Sequence, residues 1–237
     1  MIQFLLYVSF VSRYLKTLNH VVQWYKLSKE DRLQSLKKVR SIHSAVAKDN
    51  TITQYDMVIT QWAFIAPAFL KTTQIGMDTA SQRELDGIRY IFYIVGQALG
   101  IEEEYNLCSL ELSQTKDLME MILQNDIKHV LKTEVEKEPS DLMSSNLLQA
   151  IHMINPFLKP TSFKYWCFQL LECPLHSDTI KSHRLSYSLI STLFGKLLCG
   201  NLGLMTRPIL NSLMKANIYL ANLWRHHILH ENRRPFL

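Results

Sequence analysis

Apolar residues recur every three or four positions along this chain, and strict period-two alternation appears nowhere in it. That spacing gathers apolar side chains into one stripe of a helix, so it commits the chain to helices before anything else is read. Phe4, Leu5, Val8, Val11, Leu15, Leu18, Val22 and Tyr25 predict a first helix from Ile2 to Lys26. Ser28-Lys29-Glu30-Asp31 is a capping-box-like start for a second, which carries Leu33, Leu36, Val39, Ile42, His43 and Val46 on one side and closes at Asp49-Asn50. Thr53 caps a third. Its stretch from Met57 to Leu70 is apolar around nearly the whole circumference, which predicts a central place in the core, and Pro67 should bend or end it. Ser81-Gln82-Arg83-Glu84 opens a helix to Leu99, with Gly100 suited to the position just past its end. The polar run Glu102-Glu103-Glu104 then separates this half from the next. Further helices are expected over 110–135, 140–154, 161–172, 178–199 and 206–230, with Pro139, Pro156, Pro160, Pro174 and Pro208 at or near their boundaries.

Only seven glycines and seven prolines fall in 237 residues, which suits long elements with few turns, and 47% apolar residues suit a substantial core. The expectation is one all-α domain over residues 1–237. No Gly-rich phosphate loop, repeat or low-complexity tract is present. The net charge of +5 is spread along the chain, with small knots at Lys37-Lys38-Arg40 and Arg233-Arg234 but no stripe interleaved with aromatics. Solvated helix faces explain this better than a nucleic-acid partner. Cys108, Cys167, Cys173 and Cys199 form no Cys-x-x-Cys pair, so they read as core thiols in a reducing compartment, with a Cys167–Cys173 bridge as the alternative. Met1 to Val11 is apolar with no basic residue ahead of it, which fits a helix entered part-way, as in a truncated form, better than a signal peptide. Met57–Leu70, Tyr90–Gly100 and Leu197–Met205 fall short of the roughly 18–20 apolar residues that span a bilayer. Peripheral membrane contact stays open, since a basic, apolar helical protein can lie on a surface.

Two short patterns carry the chemistry. Arg13, Lys16 and Thr17 share one helix face, and Arg40 and His43 share another. If those helices pack together, one imidazole meets two cations and a hydroxyl. Imidazole is a common iron ligand, and cations suit the carboxylates that fringe a haem. The same Arg-x-x-His pattern is frequent on solvated faces. His43, however, sits on or beside the apolar stripe, where a charged ring is costly, so it needs a hydrogen bond or a metal. His226, His227, His230 and Glu231 offer an i,i+4 histidine pair without an evident third ligand, more in keeping with cationic residues near a helix C-terminus. His20 and His152 need no function. Trp62, Phe64 and Phe69 read as core packing that could also wall a substrate. The Gly-x-Ser-x-Gly elbow of hydrolases is absent.

Ser35-Leu36-Lys37-Lys38-Val39-Arg40-Ser41-Ile42-His43, Ile52-Thr53-Gln54-Tyr55-Asp56-Met57, Thr60-Gln61-Trp62-Ala63-Phe64, Gly96, Leu99-Gly100-Ile101 and Tyr105-Asn106-Leu107-Cys108 follow one another in an order and spacing that resemble a known family. That family, DUF2236, includes the bacterial latex-clearing rubber oxygenases, the fungal endoplasmic-reticulum oxygenase MpaB and many animal, especially arthropod, proteins. Arg13-Tyr14-Leu15-Lys16-Thr17 looks like its Arg-x-x-x-Thr helix. The resemblance covers the first half well and the second only as a loose helical pattern. It implies an all-α, globin-like fold enclosing haem b, with His43 as proximal iron ligand. Arg40, Arg13 and Thr17 would hold the ligand helix and haem surroundings, and Lys16 would approach the distal side. The implied reaction is dioxygen-dependent cleavage of a carbon–carbon double bond in an isoprenoid or lipid, at an intracellular, endoplasmic-reticulum-associated location. Three departures stand against an unaltered activity. Ala47-Lys48 replaces a basic Arg-His pair, Tyr90-Ile91-Phe92-Tyr93 replaces a segment bearing His and Arg, and a glutamate proposed as catalytic base lies upstream of where this sequence starts.

Overall fold

The structure, a computed structural model, describes residues 17, 20, 21, 24, 28–47, 52–132, 148, 149, 152, 159–173 and 184–231. Of these, 81% are helical and none is in a strand, so the fold is all-α and any site must be built from helix faces and their connections. The chain divides into two compact units, Gln23–Thr133 and a second formed by Met1–Val22 with Glu134–Leu237. The polar run Glu102-Glu103-Glu104 is therefore not a boundary. Glu103–Tyr105 is a single 3₁₀ turn inside the first of these units.

In Gln23–Thr133 the helices begin where capping chemistry starts them. Helix α1, Lys29–Ala47, opens with the Ser28 hydroxyl accepting from the Asp31 backbone N–H at 3.2 Å and donating to the Asp31 carboxylate at 2.8 Å. Helix α2, Gln54–Leu70, has a full capping box between Thr53 and Asp56. Helix α3, Gln82–Leu99, has another between Ser81 and Glu84. At its far end Gly100 takes φ 106°, where a side chain would be strained, and the N–H groups of Gly100 and Ile101 both return to the Gly96 carbonyl. Pro67 sits in the last turn of α2, which ends three residues later. Helix α4, Leu112–Ile122, runs through a wider π-turn, Leu123–Ile127, into the short α5, Lys128–Lys132.

Helix α3 packs against α1, α2 and α4, and α2 also packs against α4. The core they enclose contains Leu36, Trp62, Ile65, Phe69, Leu85, Phe92, Val95, Met119 and Leu123. Two expectations change here. Helix α2 is not buried all round: Gln61, Trp62, Ile65, Ala66, Ala68 and Phe69 form one buried face, while Phe64 is 50% exposed. On α1, Leu33 and Ile42 are exposed, and the packed side runs through Arg32, Ser35, Leu36, Val39 and His43. The indole of buried Trp24 donates to Ser35 Oγ at 3.1 Å, which ties this face to the preceding segment.

In the other unit, helix α6, Pro160–Leu170, starts with proline at a first-turn position where no N–H is needed. It packs against helix α7, Arg184–Thr192, with the rings of Tyr165 and Tyr187 edge to face at 4.9 Å. Helix α7 continues as a π-turn, Leu193–Leu197. Helix α8, Gly200–Glu231, then packs back on that turn so closely that a Cβ on Gly203 would meet the Leu198 carbonyl. Pro208, expected at a boundary, lies inside α8. Its ring removes one N–H whose partner would be the carbonyl of Leu204, an exposed residue that water can serve.

Candidate functional site

His43 lies one helical turn beyond Val39 and two beyond Leu36, on the side of α1 that packs inward. It is mostly shielded, and its Nδ1 is buried without a hydrogen-bond partner among the described residues. Burial pushes its pKa below the ordinary 6.5, so the ring is neutral at physiological pH. A neutral imidazole with an unbonded, shielded nitrogen is the form that ligates a metal. Arg40, one turn earlier, is exposed. Its guanidinium reaches the end of α3, 3.7–3.8 Å from where a Cβ on Gly100 would stand. The last carbonyls of a helix carry partial negative charge, so a cation here steadies α1 against α3.

The same helix end is held from α2. Gln54 donates from Nε2 to the Gly100 carbonyl at 3.0 Å and accepts from the Glu102 N–H at 3.3 Å. Deeper in, Gln61 Nε2 donates to the Phe92 carbonyl (3.1 Å) and to Asn106 Oδ1 (3.0 Å), while Gln61 Oε1 accepts from the Leu107 N–H (3.1 Å). Asn106 Nδ2 donates to the Tyr93 carbonyl at 3.0 Å, and its Oδ1 also accepts from the Cys108 N–H at 3.1 Å. The absence of a side chain at Gly96 makes room for this: a Cβ there would lie 2.7 Å from Gln61 Nε2 and 2.9 Å from Asn106 Nδ2. Arg89 Nη1 donates to the carbonyls of Cys108 (2.7 Å) and Leu110 (2.9 Å), and the Trp62 indole donates to the Met119 carbonyl at 3.0 Å. Gln61, Gly96 and Asn106, read in the sequence as points of resemblance, together with the Cys108 backbone thus belong to one buried clamp. It fixes α3 from Phe92 to Gly96, ahead of the end that Arg40 reaches.

Among the other candidates, Thr17 is helical, exposed and part of the other compact unit. Arg13, Lys16 and Lys48 lie outside the described residues, as do the side chains of His226, His227, His230, Glu231 and Ala47. Tyr90 is exposed, while Tyr93 donates to the Glu103 carboxylate at 3.1 Å and accepts from Gln97 at 2.9 Å. The Glu103 bond raises the Tyr93 pKa above its usual value, so this hydroxyl holds the 3₁₀ turn and keeps its proton. All four cysteines are free thiols, and burial raises Cys108 to about 12 and Cys167 to about 11. No described group of three or more His, Cys, Asp or Glu side chains could hold a metal ion, whereas a haem iron asks the protein for only one or two ligands. No protein-family model, curated protein or solved structure matches this chain.

Proposed function

We propose that this chain is a haem b-dependent oxygenase that cleaves a carbon–carbon double bond in a hydrophobic, isoprenoid or lipid, substrate. The observation that carries the proposal is the placement of His43, shielded on the packed face of α1 with an unbonded Nδ1 and held neutral by burial. That environment suits an iron ligand, and the ordered resemblance of residues 35–108 to DUF2236 supports the same assignment. His43 would hold the iron, and Arg40 would position the ligand helix through its seat at the end of α3. The Gln61–Asn106 clamp would keep that end from shifting. Bound haem would supply a site for activating dioxygen toward an alkene. The chain's own contribution is to present a neutral, half-buried imidazole. The second reading is a protein of the same fold that binds haem or lipid with altered chemistry. Tyr90 and Tyr93 favour it, because Tyr93 is engaged in holding a turn where relatives of the resembled family carry basic residues.

Reconstitution with haem tests the ligand. A Soret band is expected for the wild-type chain and its loss for His43→Ala; an unchanged band in the variant rejects His43. Oxygen uptake with an isoprenoid alkene separates the two readings, since a haem-loaded chain that consumes no oxygen has the binding role only.

A further inference from the structure

We propose that α7 and α8 form an interfacial anchor that lies on a membrane surface rich in anionic lipid. The first observation is a stripe. Leu202, Met205, Ile209, Leu213 and Ala216 follow one another at steps of three and four along α8, so they share one narrow face. All of them are exposed, Met205 by 75% and Ile209 by 61%. Leu185 and Leu189, one turn apart on α7, are exposed as well. The side of α8 that packs on its own unit is a different one, where Gly203 approaches the Leu198 carbonyl and Arg207 Nε donates to it at 3.0 Å. Asn211 and Lys215 stand near Arg207 in the helical register, opposite the stripe. The side of Arg207, Asn211 and Lys215 also carries the exposed Leu204, so the segregation is partial, and it is the exposed stripe with cations beside it that suits a helix lying in the plane of a bilayer surface.

The second observation is charge. From Thr179 to His230 there are six Lys and Arg residues and no Asp or Glu, while the rest of the chain has 20 cations against 21 carboxylates. The excess positive charge therefore coincides with the exposed apolar stripe, and Lys196 and Lys215 are both exposed. This favours anionic headgroups over a neutral partner, with each cation near such a surface worth roughly a fivefold gain in binding.

The third is length. No single described helix is long and apolar enough to cross a membrane, but Leu185–Leu197 and Gly200–Leu213 together have the length and composition of a span broken by a 113° bend. The first limb is about 20 Å long at helical rise, short of the roughly 30 Å hydrocarbon core, and α8, although 32 residues long, is not apolar enough to cross it. Such a pair suits the interface better than a crossing.

Vesicle flotation of the full chain tests this, with phosphatidylcholine vesicles and with vesicles that also contain phosphatidylserine. The expected result is flotation with the phosphatidylserine vesicles, weakened by salt and several-fold poorer with phosphatidylcholine alone. Met205→Glu with Ile209→Glu should reduce binding about tenfold or more, and Lys196→Gln with Lys215→Gln should weaken it and flatten its salt dependence. Circular dichroism checks that each variant keeps its helix content, and the lysine pair remains a test if the glutamate pair does not fold. No flotation with either vesicle, equal flotation with both, or unchanged flotation of the folded glutamate variant overturns the proposal. So does a dimer without vesicle binding that the glutamate variant turns into a monomer, which would assign the stripe to a second copy of the chain. The inference does not rest on haem: His43→Ala should float as the wild type does.

Discussion

His43 and Gly96 show what one residue can do in this fold. Burial lowers the pKa of His43, so an unfolded chain takes up the proton near 6.5 and the folded chain only at lower pH. Between those values the unfolded state binds more protons. Stability should therefore fall as pH drops through 6.5 and level off below the folded-state value. Denaturant midpoints against pH should show this slope, and His43→Gln should flatten it; an unchanged slope would mean that another group titrates there. At Gly96 an added methyl would push the Gln61 and Asn106 amides out of a buried network with no slack. Gly96→Ala is expected to cost about 1–3 kcal/mol in urea unfolding, the range for overpacking or for a buried hydrogen bond left unmade. The place of His43 was legible because its spacing from Leu36 and Val39 fixes its face. The clamp was not, because Gln61 stands in an apolar run and its partner Asn106 is 45 residues away. Periodicity reports which face a residue occupies and says nothing of what meets it there.

At the level of elements, starts were easier to read than ends and interruptions. Ser28, Thr53 and Ser81 each accept, through their own side-chain oxygen, from the backbone N–H three residues on that a first turn leaves open, so the signal is local. Ser81→Ala should lower stability by about 1 kcal/mol, seen as a lower urea midpoint with an unchanged slope. Gly100 was legible for the same reason, since only its neighbours matter to the turn it makes. The π-turns at Leu123–Ile127 and Leu193–Leu197 and the uninterrupted passage of α8 through Pro208 were not. Those outcomes depend on tertiary packing, which selects a wider turn or tolerates a missing bond. The expectation of an evenly apolar α2 failed because composition counts residues without asking how many neighbours surround them. Phe64 faces outward although its ring centre lies 6.4 Å from that of Phe92.

For the whole molecule, the all-α class followed from spacing alone, whereas the grouping of segments into units depends on contacts between distant parts of the chain. The segment Gln23–Thr133 is continuous, but the unit that holds α6, α7 and α8 also takes in Met1–Val22. That arrangement sets an order of assembly during synthesis. Gln23–Thr133 has all its partners as soon as Thr133 has left the ribosome, so it can close at once. Met1–Val22 belongs to a unit whose other part, Glu134–Leu237, is synthesised later, so the contacts between the two can form only after the first unit's chain has been made.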